Sequence, residues 1–96
     1  MKGTEKQVKW AEDIIETARQ NIKNMADYTK KFGSGTNGNG FKYEAVDVAE
    51  VEKSLEAIIS QTDDAAVIIE KKQMLSAETL KDFACRNYFK RTGRKF

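Results

Sequence analysis

Histidine and proline are both absent from this 96-residue chain, and cysteine occurs once, at Cys85. Without histidine there is no Ser–His or Cys–His pair, no imidazole base and no route to most zinc sites. A single thiol excludes an internal disulfide and fits a reducing compartment, so a cytoplasmic setting is expected. Cys85 has no histidine partner, and the lone adjacent cation, Arg86, is ordinary on a helix, so a catalytic thiolate is not expected. The lack of proline, with four of the six glycines gathered in residues 33–40, favours long uninterrupted helices. The longest apolar run, Ala65 to Ile69, is far shorter than the ~20 residues that cross a bilayer. No hydrophobic stretch follows the charged start, so neither a secretory signal nor a membrane partner is expected.

Negative charge is missing from the last eleven residues. Every Asp and Glu lies at or before Asp82, while Arg86, Lys90, Arg91, Arg94 and Lys95 follow it. Residues 1–85 hold twelve Lys/Arg against fifteen Asp/Glu, so the net charge of +2 comes entirely from this tail. Tyr88, Phe89 and Phe96 are interleaved with the cations. Flat side chains among positive charges suit a polyanion or an acidic protein groove.

The length is that of one domain, residues 1–96. Thr4-Glu5-Lys6-Gln7 reads as a capping box opening a helix over about residues 5–32. Val8, Ala11, Ile14, Ile15, Ala18, Ile22, Met25, Ala26 and Phe32 fall on one side of it, with Trp10 and Tyr28 at one edge of that arc. The arc is roughly 160° wide, enough to meet more than one neighbour. Gly33 is a natural stop after Lys30 and Lys31, and residues 33–40 read as a flexible glycine-rich connector. Phe41 to Ala45 alternates and fits a short extended segment. Asp47 is expected to cap a second helix, boxed with Glu50 and with Val46 stapled to Val51. Asp63 or Asp64 caps a short third helix through Lys72, although residues 65–69 can also be read as a buried strand. Ser76 caps the last helix, Leu75 staples to Leu80, and Gly93 ends it. Leu80, Phe83, Ala84 and Asn87 are expected on its core face, with Phe89 opposite Leu80. The fold expected is therefore all-α, a small helical bundle in which a long N-terminal helix packs against a shorter antiparallel helix and two short C-terminal helices.

Few residues suggest chemistry. Gly33 to Gly38 matches G-x-G-x-x-G, but it follows a helix rather than a strand and no βαβ pattern surrounds it. Glu12 and Glu16 lie one turn apart beside Asp13, yet Lys9 and Arg19 share their face, as on a solvated, salt-paired surface. Asp63 and Asp64 are explained by capping. No catalytic residue, metal or cofactor is expected. Trp10 and Tyr28 fit boundary packing with their polar tips facing water, and are also the candidate residues for a binding or homo-oligomer interface. The principal candidate contact set is Arg86, Tyr88, Phe89, Lys90, Arg91, Arg94 and Lys95.

Residues Thr4 to Ile14 resemble the opening helix of small proteins of bacteriophages and mobile elements of Gram-positive bacteria. Those proteins carry a later Ser/Thr-x-Ala-Lys-x-Trp-Ile-Asp segment. The corresponding stretch here is Asp63 to Glu70, with Ile68-Ile69-Glu70 in the place of Trp-Ile-Asp. The resemblance covers about a third of the chain and brings no established chemistry with it. It implies a genetic context, an accessory protein acting inside a bacterial host cell. Its partner would be a host protein or protein–nucleic-acid complex, and inhibition of a host CRISPR nuclease is one concrete form. Two further readings are a small regulatory protein that binds nucleic acid directly and a structural homo-oligomer built on the first helix.

Overall fold

Thr4 begins the first helix as its spacing predicts. The Gln7 amide donates to Thr4 Oγ1 at 3.2 Å, and the Thr4 amide donates to Gln7 Oε1 at 3.0 Å. In the computed structural model, which describes residues 1–96, this helix, α1, spans Glu5–Phe32. It ends at Gly33, whose φ of 84° lies in the left-handed region that suits glycine. Twenty-eight residues at ~1.5 Å each give about 42 Å, so α1 accounts for the 44 Å long dimension of the molecule.

The connector after α1 is ordered. Gly35–Thr36 (β1) pairs antiparallel with Lys42–Tyr43 (β2), with Gly35 opposite Tyr43. Residues 37–40 turn the chain, and Asn37 holds that turn. Its Oδ1 accepts from the amides of Asn39 (2.9 Å) and Phe41 (3.0 Å), and its Nδ2 donates to Asp82 Oδ1 at 3.0 Å. The expectation of a flexible linker is corrected here, because a residue 45 positions away supplies the anchor.

The second helix, α2, spans Ala45–Gln61 with Glu44 as its N-cap. This shifts the expected register by three residues. Asp47 sits at the third helical position and its Oδ2 accepts from the Glu44 amide at 2.8 Å. The residues flanking the cap are then Tyr43 and Val48, both buried in one cluster, whereas Val46 is exposed. The third helix, α3 (Ala65–Glu70), is helical rather than extended and stops two residues short of Lys72. Asp64 Oδ1 accepts from the Ala66 amide at 3.0 Å. A six-residue helix is not stable alone. Burial of Ala65 and Ile68 supplies the difference, Ile68 alone contributing about 2–3 kcal/mol. The N-terminal residues also brace it, Ala65 N–H donating to the Lys2 carbonyl at 2.8 Å. The last helix, α4, spans Ala77–Thr92 between Ser76 and Gly93, as the sequence predicts.

The chain is mostly helical, as expected, with four helices and one small two-stranded sheet whose second strand lies in the segment read as extended. Two apolar clusters form the core. In the larger, Ile22 and Met25 of α1 meet Val48, Val51 and Leu55 of α2 and Leu80 and Ala84 of α4. In the smaller, Ala11 and Ile15 of α1 meet Ala65 and Ile68 of α3. Ile14 and Ile59 pack against both. The wide apolar arc of α1 therefore serves two sets of neighbours.

On the outside, Arg19 and Glu56 join α1 to α2 through two parallel bonds of 2.8 and 2.9 Å. The hydrogen bond to Glu56 raises the Arg19 pKa, and the same bond lowers that of Glu56. Both side chains are about half exposed, 52% and 46%, so water screens the pair. Glu56→Gln is expected to cost less than about 1 kcal/mol. In a thermal melt the midpoint should fall by only a few degrees; a larger drop would mean the pair holds the helices together.

Candidate contact site on the last helix and the tail

Leu80, Ala84 and Tyr88 recur at four-residue spacing on α4 and are buried, with Cys85 beside them. The buried face is therefore rotated toward Tyr88 from the Leu80–Asn87 face expected. Tyr88 is only 5% exposed. The Arg91 guanidinium carbon lies 5.5 Å and the Lys42 ammonium 5.8 Å from the centre of its ring. Tyr88 is thus a packing residue, and its expected place in the contact set is corrected.

Arg91 is also drawn inward. Its Nη2 donates to Glu44 Oε1 at 2.8 Å and to Asp47 Oδ2 at 3.1 Å, and its Nε donates to Asp47 Oδ1 at 3.2 Å. Asn87 Nδ2 donates to the same Asp47 Oδ1 at 2.7 Å. Asp47 is completely buried. Burial alone pushes its carboxyl pKa up, but the bonds from Arg91, the Glu44 backbone and Asn87 outweigh that and hold it below the ordinary range. Arg91 in turn is raised by Asp47 and then by Glu44. One of the tail's five charges is therefore paired with carboxylates of the fold itself. Asp47 was foreseen only as a helix cap. The signal for its actual role was the pair Asn87 and Arg91, one turn apart on the side of α4 that meets α2.

Arg86, Lys90, Arg94 and Lys95 form no ion pair. Phe89 is 48% exposed, as its position opposite Leu80 predicts. Beyond Gly93 the chain folds back instead of projecting. The Lys95 carbonyl accepts from the Lys42 amide at 2.9 Å, and the Phe96 ring meets Phe41 edge-on at 5.7 Å. Lys95 Nζ lies 5.9 Å from the Phe41 ring centre.

This fold-back closes a cleft of about 540 Å³. The hairpin turn forms one wall through Asn39 and Phe41, α4 forms the other through Asp82, Arg86, Phe89 and Lys90, and Lys95 lies at the rim. Cys85 also lines it, with its Sγ donating to the Phe41 carbonyl at 3.2 Å. Burial raises the thiol pKa, which opposes thiolate formation. A second groove of about 500 Å³ runs between α2 and α4, floored by Leu55, Ile58, Leu80 and Phe83. Arg86 and Lys90 line both.

Trp10 and Tyr28 lie five helical turns apart on one line of α1, 47% and 51% exposed. Lys72 Nζ sits 5.2 Å from the Trp10 ring centre, and Tyr28 packs on Phe32 at 4.6 Å. Glu12, Asp13 and Glu16 are exposed, and no three His, Cys, Asp or Glu side chains converge as metal ligands would. No helix is long and apolar enough to cross a membrane. No family model, curated protein or solved structure matches the chain.

Proposed function

We propose that this is a non-enzymatic accessory protein of a bacteriophage or mobile element, which binds a nucleic-acid-processing machine in the cytoplasm of a bacterial host. Inhibition of a defence nuclease, as an anti-CRISPR protein, is one form of that activity. The observation that carries the reading is the exposed Phe89 between Arg86 and Lys90, neither of which has an internal ionic partner. Cations already neutralised within a fold contribute little to a partner, whereas unpaired ones around an aromatic make a ready anchor. The resemblance of residues 4–14 supports the genetic context.

The test is affinity capture from a Gram-positive host, with the captured proteins identified. A nucleic-acid-processing protein is expected, and the combined Arg86→Ala, Phe89→Ala, Lys90→Ala variant should retain at most about a tenth of it. These side chains are exposed, so the variant's melting midpoint should stay close to that of the parent. Unchanged capture by the variant would remove α4 from the reading.

A homo-oligomer is favoured by a separate observation, the exposed line of Trp10, Tyr28 and Phe32 on α1. It predicts a sedimentation mass that rises with concentration and falls back when Trp10 and Tyr28 are replaced by Ala. A monomer at all concentrations would end that reading.

A further inference from the structure

We infer that the cleft between the hairpin turn and α4 takes one nucleotide of a single-stranded nucleic acid. The base would lie against Phe89 and Phe41, and the flanking phosphates would meet Arg86, Lys90 and Lys95. The inference rests on the reading of α4 as the contact surface and adds what that surface recognises.

Size comes first. A cleft of about 540 Å³ lies within the ordinary range of small-ligand sites and has room for a base with its sugar, but not for a duplex. Charge comes second. Three unpaired cations border the cleft, on a molecule whose first 85 residues are net negative. The cleft is therefore where a phosphate chain would be drawn.

The aromatic rings separate single strands from double. Phe41 and Phe89 line the same cleft, and a ring can stack only on a base whose face is free. In a duplex those faces are covered by neighbouring base pairs.

Asp82 bears on which base is held. One of its oxygens, Oδ1, accepts from Asn37, and Oδ2 has no protein partner. That free oxygen can accept from the exocyclic amine of cytosine, adenine or guanine. Thymine and uracil have no such amine and flank their ring N–H with two carbonyls. Asn37 is committed to the turn and to Asp82, whereas the Asn39 side chain makes no internal bond and remains able to meet a base edge.

The experiment is a fluorescence-anisotropy titration of the full chain with labelled oligodeoxycytidine, oligothymidine and a duplex of the same length, beginning at ~50 mM salt. Oligodeoxycytidine should bind at least about fivefold more tightly than either of the others. Two flanking phosphates at about 0.7 each predict a slope of log affinity against log salt near about −1.4, and Lys90→Ala should reduce its magnitude by up to about 0.7. Phe89→Ala should weaken single-strand binding about tenfold or more. In a nitrogen–proton correlation spectrum, the Asn39 side-chain amide should shift on titration.

Three results would overturn the inference: no binding to any oligonucleotide, equal affinity for duplex and single strand, or Phe89→Ala without effect. The outcome is separable from the protein-capture experiment. If Arg86, Phe89 and Lys90 capture a host protein while no oligonucleotide binds, the nucleotide cleft is rejected and the proposed function stands. If oligodeoxycytidine binds as expected and no protein is captured, the reverse holds.

Discussion

Asp47→Ala is expected to lower stability by about 1–3 kcal/mol, the range for leaving buried donors without their acceptor. The carboxylate is wholly inaccessible and accepts from Asn87, Arg91 and the Glu44 amide. Its loss leaves the Glu44 amide and Asn87 facing an apolar methyl, while Arg91, about a third exposed, keeps Glu44 and solvent. A 96-residue domain has about 5–14 kcal/mol in total, so the variant should melt at least ~4 °C lower by circular dichroism. A fall of only two or three degrees would show that the network is incidental.

The same carboxylate predicts a direction with pH. Its folded pKa is depressed below the ordinary value, so native Asp47 releases its proton more readily than it does in the unfolded chain. The linked stability is complete above about pH 4 and is lost as pH falls through the folded pKa. The parent protein should therefore lose stability below about pH 4 more steeply than Asp47→Asn, whose amide does not titrate. Parallel pH profiles for the two proteins would contradict the assignment.

Gly35→Ala is the second large effect expected. Gly35 does not need a left-handed backbone, since its φ is not positive. What it needs is space. An added Cβ would stand 2.5 Å from both Cζ and the hydroxyl oxygen of Tyr43. Tyr43 is buried in the main cluster with Ile22, Val48 and Leu80, and burial pushes its hydroxyl pKa up. The ring is packed in the core, so the methyl group must either displace it toward the cavity lined by Met25 and Tyr28 or open the hairpin. Overpacking of this kind costs about 1–3 kcal/mol, or roughly 5–20 °C in the melt. Gly38→Ala is the matched control. Its added Cβ would meet nothing nearer than a Glu78 carboxylate oxygen at 3.4 Å, and little change is expected. Equal melting points for the two variants would refute the steric argument.

Where structure is set by neighbours in the chain, the sequence is readable. Thr4 with Gln7 and Gly33 bound α1, and Ser76 and Gly93 bound α4. Phe89 is exposed because a half-turn offset from Leu80 leaves no other place for it. Where structure is set by distant residues, local pattern misleads. Glu44, Asp47 and Glu50 are spaced by three, so each adjacent pair imitates a capping box. The choice is made by Tyr43 and Val48 entering the core and by Arg91 reaching Asp47 from another helix. Residues 33–40 look structureless because glycine conceals an anchor that lies in α4, at Asp82. Five tail cations look alike in the sequence, yet Arg91 alone finds internal carboxylates. The cleft was invisible for the same reason, since its walls come from the hairpin, α4 and Lys95 together.

Arg86 and Lys90 border the hairpin cleft on one side of α4 and the α2–α4 groove on the other. A guanidinium or ammonium group turned toward an occupant of one side is withdrawn from the other. Two occupants, one on each side, would draw on the same pair of charges without touching, and any antagonism between them would be reciprocal, each loosening the other by the same factor.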